Sequence, residues 1–154
     1  MDTDKEMKSF SQYITEAKTV EVDHGVAYWQ PSQGGKVEIG TKVGAFKGRP
    51  RWSKIENVFE KERPRGLPSR LGNIYVAATE DNILFNKSKP VYEVQITGKA
   101  FYANLEHFTE GTFAKNDDQV KDWANEYWKG VNLNAADETT EIILDGEAEV
   151  SYKL

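Results

Sequence analysis

The chain has 154 residues, a formal net charge of -5, and 4 Trp, 7 Tyr and 7 Phe. This length and aromatic content predict one folded domain with its own hydrophobic core rather than a disordered chain. The negative charge argues against tight non-specific DNA binding, which needs a basic surface, and we expect no specific nucleic-acid partner. The absence of cysteine excludes disulfides, thiolate zinc sites and cysteine nucleophiles. Because no run of 18 apolar residues occurs, we expect no membrane span.

The first patterned segment lies near the N-terminus. Phe10, Tyr13, Ile14 and Ala17 follow the i, i+3, i+4, i+7 spacing of one helical face. On this pattern alone the segment is an ordinary amphipathic helix. Residues 14–17 read Ile-Thr-Glu-Ala, which is an aliphatic residue, any residue, a glutamate and a small residue.

Residues 7–17 resemble the capsid-targeting sequence of internal head proteins in large tailed phages of the myovirus type. The resemblance implies that the prohead protease cuts between Glu16 and Ala17. It also implies a leader over residues 1–16, which binds the prohead protease and scaffold, and a single globular domain over residues 17–154. Such a protein is located in the virion, inside the capsid, and reaches the host cytoplasm with the injected DNA.

Short β-like runs follow at residues 20–22 and 26–29, in a region broken by glycines at residues 34, 35, 40, 44 and 48. The segment Trp52–Phe59 has its apolar residues at helical spacing, so we predict an amphipathic helix that ends before Pro64. Residues 63–70 read Arg-Pro-Arg-Gly-Leu-Pro-Ser-Arg, which predicts a basic loop.

Three strand candidates come next, at residues 73–77, 91–96 and 100–103. The second alternates polar and apolar side chains, so one of its faces is expected to be buried. Gly98 and Lys99 lie between the second and third candidates, and we predict a turn there.

A helix is predicted around residues 120–128, where the apolar residues form one stripe, with Gly130 as its C-cap. The last predicted strands are residues 141–144 and 148–152, joined by a hairpin turn at Asp145-Gly146. The predicted fold is α+β, a single domain with a mainly antiparallel sheet and two or three helices.

The order of four segments in residues 63–154 resembles ADP-ribosyltransferase-like domains. These segments are residues 67–70 (Leu-Pro-Ser-Arg), 74–76, 91–94 and 141–144. The resemblance lies in their order more than in their identity. It implies an ADP-ribosyltransferase-like fold, NAD as a substrate, no metal, and mono-ADP-ribosyl transfer to a host protein.

In that family a glutamate just before an aliphatic strand holds the ribose hydroxyl and stabilises the oxocarbenium-like transition state, which implies that Glu141 is catalytic. A fixed carboxylate near developing positive charge lowers the barrier electrostatically. Members that target arginine carry Gln or Glu two residues earlier, where this chain has Thr139, and Glu138 lies three residues before Glu141. The alternative is that Glu141 is a solvent-facing strand residue.

The resemblance implies further contacts with NAD. Ser69 is placed near the ribose, Arg65 or Arg70 near the pyrophosphate, and Tyr75 on the nicotinamide ring. His24 is the nearest match to the first-strand residue that contacts NAD in the family. As alternatives, Ser69 and Arg70 cap a turn and solvate a loop, and Tyr75 belongs to the core.

Other chemistries have little support in the sequence. The two histidines, His24 and His107, lack the spacing of metal ligands, so we expect no metal site. No P-loop, dinucleotide glycine fingerprint or nucleophile elbow occurs. Two classes of function remain. One is an injected NAD-dependent ADP-ribosyltransferase. The other is a non-catalytic injected protein that binds and inhibits a host defence or polymerase.

Overall fold

The computed structural model describes residues 19–32, 35–45 and 52–154. The leader with its expected cleavage site at Glu16 and Ala17 lies outside the described residues. Within them, four antiparallel strands form one sheet: β1 (Thr19–Trp29), β2 (Ile74–Ala77), β3 (Tyr92–Asn104) and β4 (Thr140–Lys153).

The sheet closes into a small barrel in the strand order β1-β2-β4-β3, and β3 pairs with β1 to complete the circle. β3 and β4 pair along almost their whole length. By contrast, β1 and β2 meet at a single residue pair, Tyr28 opposite Ala77. We call this contact the seam of the barrel.

In the described part of the chain, three α-helices pack on the outside of the barrel: α1 (Ser53–Glu62), α2 (Leu105–Thr112) and α3 (Asp117–Tyr127). The side chain of Asn104 accepts a hydrogen bond from the backbone N–H of Glu106 and caps α2. Asn116 caps α3 in the same way through the N–H of Gln119. A short 3₁₀ turn, Leu133–Ala135, precedes β4.

The core has two parts that share the sheet. An inner cluster fills the barrel and includes Val76, Val94, Ile96, Ile142 and Leu144. An outer cluster lies between the sheet and the helices and includes Phe59, Phe101, Tyr127, Trp128 and Ile143. Side chains alternate between the two faces of a strand. Glu141 of β4 therefore lies on the helix side with Ile143.

The predicted fold class is confirmed, since the described residues form one α+β domain with an antiparallel sheet and three helices. The helices predicted at residues 52–59 and 120–128 correspond to α1 and α3. The buried face of residues 91–96 is confirmed, because Tyr92, Val94 and Ile96 are fully buried. The sequence did not predict α2, whose eight residues depend on the Asn104 cap and on burial.

Both turns predicted in the second half are wrong. Gly98 and Gly146 lie inside β3 and β4 and face each other across the sheet. A Cβ added to Gly146 would lie 2.0 Å from the carbonyl oxygen of Thr97, and Gly98 has a φ of +130°. The glycines let two long strands bend and approach closely without interruption.

The two β-like runs at residues 20–22 and 26–29 form one strand rather than two. The register of β1 against β3 shifts between Val22 and Gly25. His24, with a φ of 57°, lies in this irregularity. A β-bulge accommodates extra residues while the strand continues.

Candidate functional site

A cleft of about 770 Å³ opens at the seam, between the end of β1, β2, the start of β4 and the loop that joins β2 to β3. Pockets of this volume hold ligands the size of a nucleotide or a drug molecule. The lining combines aromatic rings, side-chain amides and two charged groups: Tyr28, Trp29, Tyr75 and Phe85, then Gln30, Asn82 and Asn86, then Lys89 and Glu141.

Side-chain hydrogen bonds hold the β2–β3 loop as one wall of the cleft. Gln30 Nε2 donates to the carbonyl oxygens of Asn86 at 2.8 Å and Lys89 at 3.2 Å, and Gln30 Oε1 accepts from the Asn86 N–H. Asn82 Nδ2 donates to the carbonyl oxygen of Thr140 at 3.2 Å. The loop is thus tied to both β1 and β4.

Glu141 lines the cleft and is only 6% exposed. Arg70 Nη1 and the Tyr127 hydroxyl both donate to its Oε1. Arg70 Nη1 also donates to the Tyr127 oxygen at 2.6 Å. Among the described residues, no donor bonds the other carboxylate oxygen of Glu141, Oε2. The buried side-chain atoms that lack a hydrogen-bond partner do not include Oε2.

Arg70 is a buried cation between two carboxylates. Its Nε and Nη2 donate to Glu56 Oε2 at 2.9 Å and Oε1 at 3.2 Å. Its guanidinium carbon lies 3.9 Å from the centroid of the Phe108 ring, a cation–π contact. Arg70, Glu56, Glu141 and Tyr127 form what we call the buried charged cluster.

Electrostatics hold Arg70 and Tyr127 each in one protonation state. Burial by itself lowers the pKa of Arg70, but the neighbouring oxygens of Tyr127, Glu141 and Glu56 outweigh burial and hold that pKa well above its ordinary value. Burial raises the pKa of Tyr127 well above 10.0, and Glu141 adds to the rise. Arg70 thus stays charged, and Tyr127 stays protonated as a donor.

Of the residues that the sequence suggested, the structure brings Glu141, Tyr75 and Arg70 together. Glu141 and Tyr75 both line the cleft. Arg70 bonds Glu141 directly, but its other donors go to Glu56 and Tyr127. The burial of Glu141 also contradicts its alternative interpretation as a solvent-facing strand residue.

The other three suggested residues lie away from the cleft lining. Ser69 Oγ donates to Glu60 Oε2 at 2.7 Å and accepts from the Leu71 N–H at 2.9 Å, as expected for a turn. Arg65 is exposed in the same loop. His24 is exposed on the β1 bulge, near the glycine pair of β3 and β4. That position is roughly 20 Å along the sheet from Glu141, at about 3.4 Å per residue.

Sequence reasoning missed two members of the buried charged cluster, Tyr127 and Glu56. Tyr127 was assigned to the apolar stripe of α3, and Glu56 was one polar residue among several in α1. The sequence patterns do not single out the amides of Gln30 and Asn82 either. A periodicity of 3.6 does identify the buried face that carries Tyr127, but it says nothing about where the hydroxyl points.

Two findings concern ligands and membranes. Within the described ranges, no group of three or more His, Cys, Asp or Glu side chains is arranged to hold a metal ion. No helix in this part of the chain is both long and apolar enough to cross a membrane.

Comparison with known proteins identifies a family. The model of the family described as "Protein of unknown function (DUF2441)" matches residues 49–154. The matched region contains the whole buried charged cluster, whereas the β1 residues of the cleft precede it. No curated protein matches the chain.

Proposed function

The chain belongs to the DUF2441 family, and from the geometry around Glu141 we propose that it is an NAD-dependent mono-ADP-ribosyltransferase acting on a host protein. One observation carries the proposal. A carboxylate that two donors hold through Oε1 lines a cleft of about 770 Å³ together with several aromatic residues.

The chemistry needs such a carboxylate. When the bond between ribose C1′ and the nicotinamide nitrogen breaks, nicotinamide leaves with the electron pair and positive charge builds up on the ribose. A fixed negative oxygen beside the ribose is attracted more strongly to this transition state than to NAD itself. The protein acceptor then bonds to C1′ and loses its proton.

The remaining lining suits a dinucleotide. Tyr75 and Trp29 offer ring faces on which nicotinamide or adenine can stack. In this proposal Lys89, rather than Arg70, pairs with the pyrophosphate, because Lys89 lines the cleft while Arg70 is occupied by two carboxylates. Ser69, Arg65 and His24 have no contact with NAD in this arrangement, since none of them lines the cleft.

A second candidate is a non-catalytic protein that binds and inhibits a host defence or polymerase. The nearly complete burial of Glu141 favours it, because Arg70 already neutralises much of that charge. Exposed apolar side chains beside the cleft also favour binding, since Ile83 is 52% exposed and Leu84 is 66% exposed.

Two measurements on the purified protein decide between the candidates: NAD binding by calorimetry, and transfer of labelled ADP-ribose from NAD to host lysate. We expect Glu141→Gln to reduce transfer on the order of 100-fold to 1,000-fold. The matched control is Glu138→Gln, because Glu138 is an exposed carboxylate three residues earlier. Unchanged transfer by Glu141→Gln removes Glu141 from the mechanism. A wild type that neither binds NAD nor transfers ADP-ribose favours the binding protein.

The virion location is a separate proposal, which rests on the resemblance of residues 7–17 to capsid-targeting sequences. In this proposal the prohead protease removes residues 1–16 and the remaining domain is injected. Mass spectrometry of the protein from purified particles should find Ala17 at the N-terminus. An intact N-terminus in mature heads rejects the cleavage.

A further inference from the structure

We propose that Tyr127 and Arg70 are positioning residues, which fix the Glu141 carboxylate through Oε1 so that Oε2 is presented to the ligand. This inference rests on the proposed function, because it assigns those residues a task in the same reaction. It also changes the role of Arg70, from a contact with NAD to a support for the catalytic carboxylate.

The two donors fix the carboxylate from different elements. Arg70 lies in the loop after α1, and Tyr127 is the last residue of α3. Both donate to the same oxygen of Glu141, and Arg70 also bonds the Tyr127 hydroxyl. A carboxylate held at one oxygen by two such donors cannot rotate freely about its terminal bond. Its second oxygen therefore keeps one direction, which is what preorganised electrostatic catalysis requires.

The donors are themselves held in place. The Tyr127 ring packs edge-on against Phe59 and Trp128, with centroids 5.3 Å and 4.9 Å away. Arg70 is fixed by Glu56 on one side and by the ring of Phe108 on the other. Supporting groups that are locked by packing hold a site more accurately than groups on mobile side chains.

The cluster places two carboxylates on one buried cation. Glu56 alone would neutralise Arg70, yet Glu141 brings a second carboxylate to the same guanidinium. Burying a further carboxylate is costly unless it is compensated. An excess negative charge beside the cleft suits a ligand that becomes positive during the reaction. Burial raises the pKa of Tyr127, so its hydroxyl remains a donor while the protein is folded.

A double-mutant cycle tests the proposal, with transfer of labelled ADP-ribose from NAD to host lysate as the readout. We expect Tyr127→Phe to lower kcat about 10-fold to 100-fold and to change KM little, because misplacement of a catalytic group by about 1 Å has effects of this size. In a Glu141→Gln background the same change should lower kcat less than about 2-fold, because Tyr127 acts through Glu141.

The matched control is Tyr102→Phe. Tyr102 is a half-buried tyrosine of β3 that packs against the inner cluster, on the other face of the sheet from Glu141. The Tyr102→Phe substitution should leave kcat unchanged. The positioning role is overturned if the two kcat losses multiply in the double variant. It is also overturned if Tyr102→Phe lowers kcat as much as Tyr127→Phe does.

Thermal unfolding of the same variants separates this proposal from the proposed function. If the wild type neither binds NAD nor transfers ADP-ribose, the proposed function is overturned, and the melting temperatures then decide whether Tyr127 holds Glu141. A double variant that loses less than the sum of the two single losses supports the contact between them. Strictly additive losses overturn it.

Discussion

Arg70 is the residue whose surroundings leave the least room for substitution. It is buried, it bonds Glu56, Glu141 and Tyr127, and it lies over the ring of Phe108. The stability of this arrangement depends on the cation, because each carboxylate would otherwise be buried without compensation. Removing one partner of a buried ion pair is far more damaging than removing an exposed charge.

We therefore expect Arg70→Leu to lower the free energy of unfolding by about 3–5 kcal/mol. Arg65→Leu is the matched control, since Arg65 is an exposed arginine of the same loop, and its effect should stay within about 0.5 kcal/mol. Urea denaturation of both variants measures the difference. Similar stabilities for the two variants would show that the buried ion pairs contribute little.

Alkaline pH should destabilise the fold through its buried tyrosines. Burial raises the pKa of Tyr127 and of Tyr75 above 10.0. A group whose pKa is higher in the folded state stabilises the fold fully below its unfolded pKa, and this contribution is lost as the pH rises through the folded pKa. The free energy of unfolding should thus fall above pH 10. Melting temperatures from about pH 8 to about pH 11 measure it. Tyr127→Phe should show a shallower fall, and an unchanged profile in that variant would contradict the assignment.

Among the elements, β3 and β4 determine the shape of the barrel. Each is a long strand that bends where Gly98 and Gly146 face each other. The close approach leaves no room for a side chain, because a Cβ on Gly146 would lie 2.0 Å from a backbone oxygen. Backbone atoms cannot move aside as the end of a flexible side chain can.

Gly146→Ala should lower the free energy of unfolding by about 2 kcal/mol or more, since an added methyl group must push the strands apart. Gly35→Ala is the control, because a Cβ there meets nothing within 4 Å. Thermal melts of the two variants compare them directly. Equal melting temperatures would show that the bend tolerates a side chain.

At the scale of the whole molecule, the two core clusters share one sheet and should unfold together. The inner cluster includes Ala27 and Val150, near the two ends of the described chain, and the outer cluster packs on the same strands. Small single domains of this kind usually unfold in one cooperative transition.

A fragment of residues 17–154 should therefore fold alone, with a melting temperature within about 3 °C of the full chain. Calorimetry on both proteins provides the measurement. A fragment that fails to fold, or that melts in two separate transitions, would show that residues 1–16 belong to the core or that the clusters are independent.

Local periodicity determined much of the fold from the sequence. The apolar stripes of α1 and α3 repeat at helical spacing, and the buried face formed by Tyr92, Val94 and Ile96 repeats at the spacing of a strand. These patterns report which face of an element is buried, because burial follows the repeat of the backbone itself. The α+β class followed from them.

The tertiary structure decided what depends on residues far apart in the chain. Gly98 and Gly146 each resemble turn residues, and only their approach across the sheet makes them positions of a continuous strand. Arg70 and Glu141 are 71 positions apart, and no local repeat predicts that they bond. Hydrogen bonds between side chains depend on the packing of the elements that carry them. The sequence could therefore suggest Glu141 and Arg70, but not that Arg70 and Tyr127 hold the Glu141 carboxylate.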